Sequence, residues 1–133
     1  MIIGADHIIN RRKEMSNDNL FSRAYQIMIG RINDKLSQDE PYYFETTKSA
    51  KHEAIALLPN DTIQIKRTNA PKIPEYYIDM EMLEAGFNHF RFRETITITQ
   101  YDAFIKKALG RVPQHGPTYI AIIRVLQEIS RGL

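Results

Sequence analysis

The chain has 133 residues, 43% hydrophobic and 26% charged, enough for one domain with a buried core and too apolar for wholesale disorder. Its 18 Lys and Arg against 16 Asp and Glu leave a net charge of +2, so no basic excess singles out nucleic acid or an anionic membrane. The lack of cysteine excludes disulfides, thiolate metal sites and cysteine nucleophiles, and it fits a reducing, cytoplasmic setting.

The N-terminal run Met1–Ile9 is apolar but carries Asp6 and His7 with no basic stretch before it, which makes a poor secretory signal. Residues 1–14 are expected to be a flexible extension, with Met15 an alternative start, of a single α+β domain over 1–133. The first strong element is a helix over about 17–37. Ser16 to Asn19 offer capping oxygens, and Leu20, Ala24, Tyr25, Ile27, Met28, Ile32 and Leu36 recur mostly at three- and four-residue spacing. Gly30 interrupts this helix and reads as a close packing contact.

From Tyr42 the pattern turns extended. Residues 42–47 favour a strand, 49–58 fit a strand or a short helix, and 62–67 alternate with Ile63 and Ile65 on one face. Pro59, Asn60 and Asp61 mark a turn, and the prolines at 71 and 74 mark a loop. The runs 76–83 and 89–99 also alternate, separated by Glu84–Asn88, and pair most economically as a β-hairpin. In that register Glu81 faces Arg91 and Asp79 faces Arg93 as a charge ladder. Phe90 and Phe92 then face the core with Ile96 and Ile98, so the aromatics and arginines do not form one stacking surface for RNA. Glu94 falls on the apolar face, where a carboxylate acquires a raised pKa or sits at a bulge.

Two helices follow. Thr99 and Asp102 resemble a capping box for a helix through Leu109, with Gly110 as its stop, and a last helix covers about 118–131. The last helix carries Tyr119, Ile122, Ile123 and Leu126 among its apolar residues, more than one packing face uses. The whole is an N-terminal helix, an antiparallel sheet of three to four strands and two C-terminal helices.

No catalytic motif stands out. The four histidines show no metal-ligand spacing, so no metal and no cofactor is expected. The catalytic candidates are Glu94, His52, His89 and His115, the last on a Gly/Pro loop before a helix N-terminus that can receive an anion. Arg11, Arg12 and Lys13 form the best electrostatic patch, and Tyr42, Tyr43, Tyr76 and Tyr77 are candidates to line a small-ligand pocket. The expected function is a non-enzymatic protein-interaction module that self-associates as a homodimer through Tyr119, Ile122, Ile123 and Leu126. The alternative is a metal-independent ribonuclease or nucleic-acid-binding protein. The order of elements resembles that of small bacterial ribonuclease toxins, without a matched motif.

Overall fold

The computed structural model describes the backbone of residues 3–45 and 51–133, and the side chains of 20–45 and 51–133. Helix α1 (Ile3–Ser37) precedes strands β1 (Tyr42–Glu45), β2 (Lys51–Leu57), β3 (Ile63–Arg67) and β4 (Tyr76–Tyr77). Helices α2 (Met80–Phe90), α3 (Ile98–Leu109) and α4 (Gly116–Arg131) complete the chain. The class is α+β as expected, with three helices after the sheet. Residues 46–50, which fall within the expected extended runs, lie outside the described residues.

The sheet is an antiparallel meander in the order β1-β2-β3-β4. Phe44 pairs with His52 and His52 with Arg67, while Ala54 pairs with Ile65 and Ile65 with Tyr76. Strand alternation therefore buries Phe44, His52, Ala54, Ile63 and Ile65 on one face and leaves Tyr43, Lys51, Lys66 and Tyr77 on the other. The β2–β3 turn uses Asp61 in the left-handed region (φ 63°), and the Tyr25 hydroxyl donates to its carbonyl at 2.6 Å. That bond anchors α1 to the sheet. In α1, Phe21, Ala24, Tyr25, Met28, Ile29 and Ile32 are buried at helical spacing. Gly30 is not a packing contact: it is exposed, and a Cβ there would meet nothing within 4 Å.

The expected hairpin does not form. Tyr76 and Tyr77 are extended, but residues 80–90 are helical and 91–97 form a loop. Asp79 decides the change, because its side chain accepts from the amides of Glu81 and Met82 and caps α2. Met82, Leu83, Gly86, Phe87 and Phe90 then share the buried face at helical spacing. The charge ladder is replaced by Arg111, which lies 2.7 Å from Asp79 and 3.8 Å from Glu81. Phe90 is in the core, whereas Phe92 is 88% exposed and Glu94 lies on an exposed loop. No buried carboxylate exists at position 94.

Helix α3 starts two residues earlier than expected and is capped by Thr97 with Gln100, each side chain bonding the other's backbone amide. Asp102 turns instead toward α4, its Oδ1 lying 3.1 Å from where a Cβ on Gly116 would stand. Helix α4 packs against α1, α2, α3 and β1, so Tyr119, Ile122, Ile123 and Leu126 are core residues covered by the chain itself. Its buried Gln127 donates to the carbonyls of Phe90 (2.7 Å) and Arg93 (3.1 Å), satisfying the open end of α2.

Glycine is required at position 86, where an added Cβ would fall 2.5 Å from Cε2 of Tyr101, a ring pinned by its hydroxyl bond to the Met82 carbonyl. Gly86→Ala is expected to cost about 1–3 kcal/mol through overpacking. Gly30→Ala, on an open helix face, is expected to add about 0.5–1 kcal/mol. Urea unfolding of the two variants measures both values, and equal midpoints would contradict the packing at Gly86.

Candidate functional site

Of the sequence candidates, the fold brings His52 and His115 together and leaves His89 and Glu94 apart. His89 stacks on Phe104 at 3.8 Å, on the exposed side of α2. The side chains of Arg11, Arg12 and Lys13 lie outside the described residues. The four tyrosines line no shared pocket: Tyr43 and Tyr77 are exposed on the outer face of the sheet, Tyr42 packs on Phe44, and Tyr76 stacks on His115.

The site is built where the N-terminus of α4 meets β2, β3 and β4. His52 comes from the middle strand of the β1–β3 trio, on the core face, and is 1% exposed. Arg67 ends β3 directly opposite it in the ladder. Tyr76 begins β4, and Thr118 lies in the first turn of α4, which His115 precedes as the N-cap. His52 Nδ1 is hydrogen-bonded to Thr118 Oγ1, which also bonds the Tyr76 hydroxyl at 2.6 Å. The ring of Tyr76 stacks on His115 with centroids 3.5 Å apart and planes inclined by 9°. Thus two strands and one helix end share a continuous polar chain, with Arg67 of β3 beside it.

The electrostatics are those of a cationic corner with neutral imidazoles. Burial lowers the pKa of His52 to about 4, and the charge of Arg67 and the neighbouring His115 push the same way. His115 is also lowered, by burial and then by Arg67. Tyr76 is raised by burial, against the opposing effects of its bond to Thr118 and of Arg67. Arg67 makes no ion pair among the described residues. His52 Nε2 is buried without a hydrogen-bond partner. Neutral imidazoles accept protons, the tyrosine holds one, and the guanidinium attracts an anion. No group of three His, Asp or Glu among the described residues is placed to hold a metal ion. Among them, too, no helix is long and apolar enough to cross a membrane.

Sequence reasoning missed Arg67 and Thr118, and named Tyr76 only as a candidate to line a small-ligand pocket. Arg67 comes opposite His52 only through the irregularity between Ala54 and Ala56, since the register at the turn, Leu57 with Ile63, continued regularly puts Thr68 there. Thr118 carried no signal, because its meeting with Tyr76 depends on where α4 lies.

Acid should weaken the fold through His52. The unfolded chain takes up a proton near pH 6.5 that the folded chain refuses until about pH 4, so protons favour unfolding across that window. Stability is expected to fall by about 2 kcal/mol between pH 7 and pH 5 from this group. His52→Gln should flatten that part of the profile in urea titrations at the two pH values, and an unchanged slope would contradict a neutral buried imidazole. No protein-family model matches this chain, and no curated protein or solved structure matches it either.

Proposed function

We propose that the protein is a metal-independent ribonuclease centred on His115, Tyr76 and Arg67, with His52 and Thr118 behind them. The observation that supports this reading is the unpaired guanidinium of Arg67 beside a base-competent histidine and a protonated tyrosine. Cleavage of a phosphodiester without a metal uses a base, an acid and a cation around one phosphate. His115 is the accessible base, since burial and Arg67 keep it neutral at neutral pH. Arg67 meets the phosphate charge, and the N-terminal end of α4 adds a partial positive charge nearby. The lack of cysteine accords with work in a reducing cytoplasm.

RNA incubated with the protein in EDTA is expected to be cut, with a rate that rises from acid to neutral pH around a midpoint below 6.5. His115→Ala and Arg67→Gln are each expected to lower that rate by about 100-fold or more. Glu94→Gln and His89→Ala, both remote from the cluster, should cut at the parent rate. Full activity in both of the first two variants would remove the reading.

A second reading, the self-associating interaction module, rests on Phe92, which is 88% exposed and lies under the guanidinium of Arg91 at 5.0 Å. An apolar ring so placed offers contact area to a partner. Sedimentation at increasing concentration should then show a dimer that Phe92→Asp abolishes; a monomer at every concentration sinks the homodimer.

A further inference from the structure

The direction of the hydrogen bonds in the buried chain follows from a count of donors. The hydroxyl of Thr118 has one hydrogen and two acceptor positions, and it meets both His52 Nδ1 and the Tyr76 oxygen. It has no other hydrogen-bond partner among the described residues. Three arrangements are available to neutral groups. If Tyr76 donates to Thr118 and Thr118 donates to His52, the imidazole hydrogen sits on Nε2, buried and unpaired. If Tyr76 and His52 both donate to Thr118, the threonine hydrogen is stranded in a residue with no exposure. In the third, His52 Nδ1–H donates to Thr118 and Thr118 donates to the Tyr76 oxygen.

Only the third leaves no donor of a fully buried residue alone, since Tyr76, whose hydrogen it frees, is partly exposed. The single unpaired atom is then the lone pair of His52 Nε2, and stranded buried donors are the rarer and costlier defect. A charged imidazole is not an alternative at neutral pH, because burial holds His52 well below its ordinary range. The consequence lies at the outer end of the chain. The Tyr76 oxygen is an acceptor toward the interior, and its own hydrogen is released from the network. Tyr76 itself is partly exposed, and His115 stacks on the same ring.

We propose that Tyr76 is the general acid of this centre, giving its hydroxyl proton to the leaving 5′ oxygen of a ribonucleotide while His115 takes the proton of the adjacent 2′-hydroxyl. The inference rests on the ribonuclease reading and names its substrate class, a phosphodiester with a free 2′-hydroxyl. The bond formed is 2′-oxygen to phosphorus and the bond broken is phosphorus to 5′-oxygen. The products are a 2′,3′-cyclic phosphate and a 5′-hydroxyl. His115 ends with one proton more and Tyr76 with one fewer, and proton return between them, directly or through water, restores both. Thr118 and His52 are positioning residues, since they fix which way the tyrosine hydrogen points. Burial keeps the phenol protonated at neutral pH, as a general acid requires.

The test uses two RNA substrates, one with its normal 5′ oxygen and one with sulfur at that position, whose thiolate leaves without a proton. Tyr76→Phe is expected to cut the oxygen substrate about 100-fold or more slower than the parent, yet the sulfur substrate close to the parent rate. Rapid cutting of the sulfur substrate also shows that the variant is folded. His115→Ala should be slow on both. Equal losses on the two substrates, or an unimpaired Tyr76→Phe on the oxygen substrate, overturn Tyr76 as the acid while the ribonuclease reading stands. A parent protein that cuts neither substrate removes that reading and this inference together.

Discussion

The fold depends on one constraint: a helix apolar around most of its circumference must be covered on every apolar side. Helix α4 buries Tyr119, Ile120, Ala121, Ile122, Ile123, Leu126 and Ile129, which no single neighbour can cover. The chain surrounds it with α1, α2 and α3 and sets its first half against β1. At about 25 cal/mol per Å² of apolar surface, burying these side chains is a large favourable contribution. The requirement explains why α2 is a helix. A hairpin over 76–99 would have extended the sheet but left one side of α4 bare, whereas α2 packs on it. Gly86 lets the two approach, since a Cβ there would also stand 2.9 Å from Cδ1 of Ile123.

Burying α4 carries its polar groups inward as well, and each must find a partner. Gln127 does so with the carbonyls of Phe90 and Arg93, and Thr118 does so with His52 and Tyr76. Tyr119 accepts from the Asp79 amide at 2.8 Å, tying the start of α4 to the residue that caps α2. The polar chain is thus a by-product of the same packing that covers the helix. An unpaired buried group costs on the order of 1–3 kcal/mol, so a half-completed chain would be worse than an apolar contact. Within this chain of bonds His52 keeps one open nitrogen, Nε2.

The parts legible in the sequence were those decided locally. The α1 face, β3 with its alternating isoleucines, the Pro59–Asp61 turn and the stop at Gly110 all rest on short-range rules. The run 80–90 went wrong because alternation and helical spacing coincide over it. Met80 and Met82 fit a strand face, while Met82, Leu83, Gly86, Phe87 and Phe90 fit a helix face equally well. The cap at Asp79 breaks the tie, but one aspartate before an apolar run is a weak signal. The excess apolar surface of α4 was read correctly as needing two-sided cover, and the cover turned out to come from the same chain. His52 and His115 could be named singly; their convergence required the register of β2 with β3 and the docking of α4 together.

The charge of Arg67 gives the corner a property that neither histidine has alone. Burial is the main reason both imidazoles stay neutral, and Arg67 adds to it by repelling a proton. An anion seated beside the guanidinium cancels that repulsion and adds an attraction of its own. His115 therefore gains affinity for a proton when a phosphate arrives, and the gain lapses when the phosphate leaves. A base that strengthens on substrate binding and weakens on product release suits proton transfer in the proposed reaction. His52 stays neutral chiefly through its burial, to which Arg67 and His115 add. The same guanidinium thus reinforces the neutral state that burial sets, and its effect reverses once an anion lies beside it.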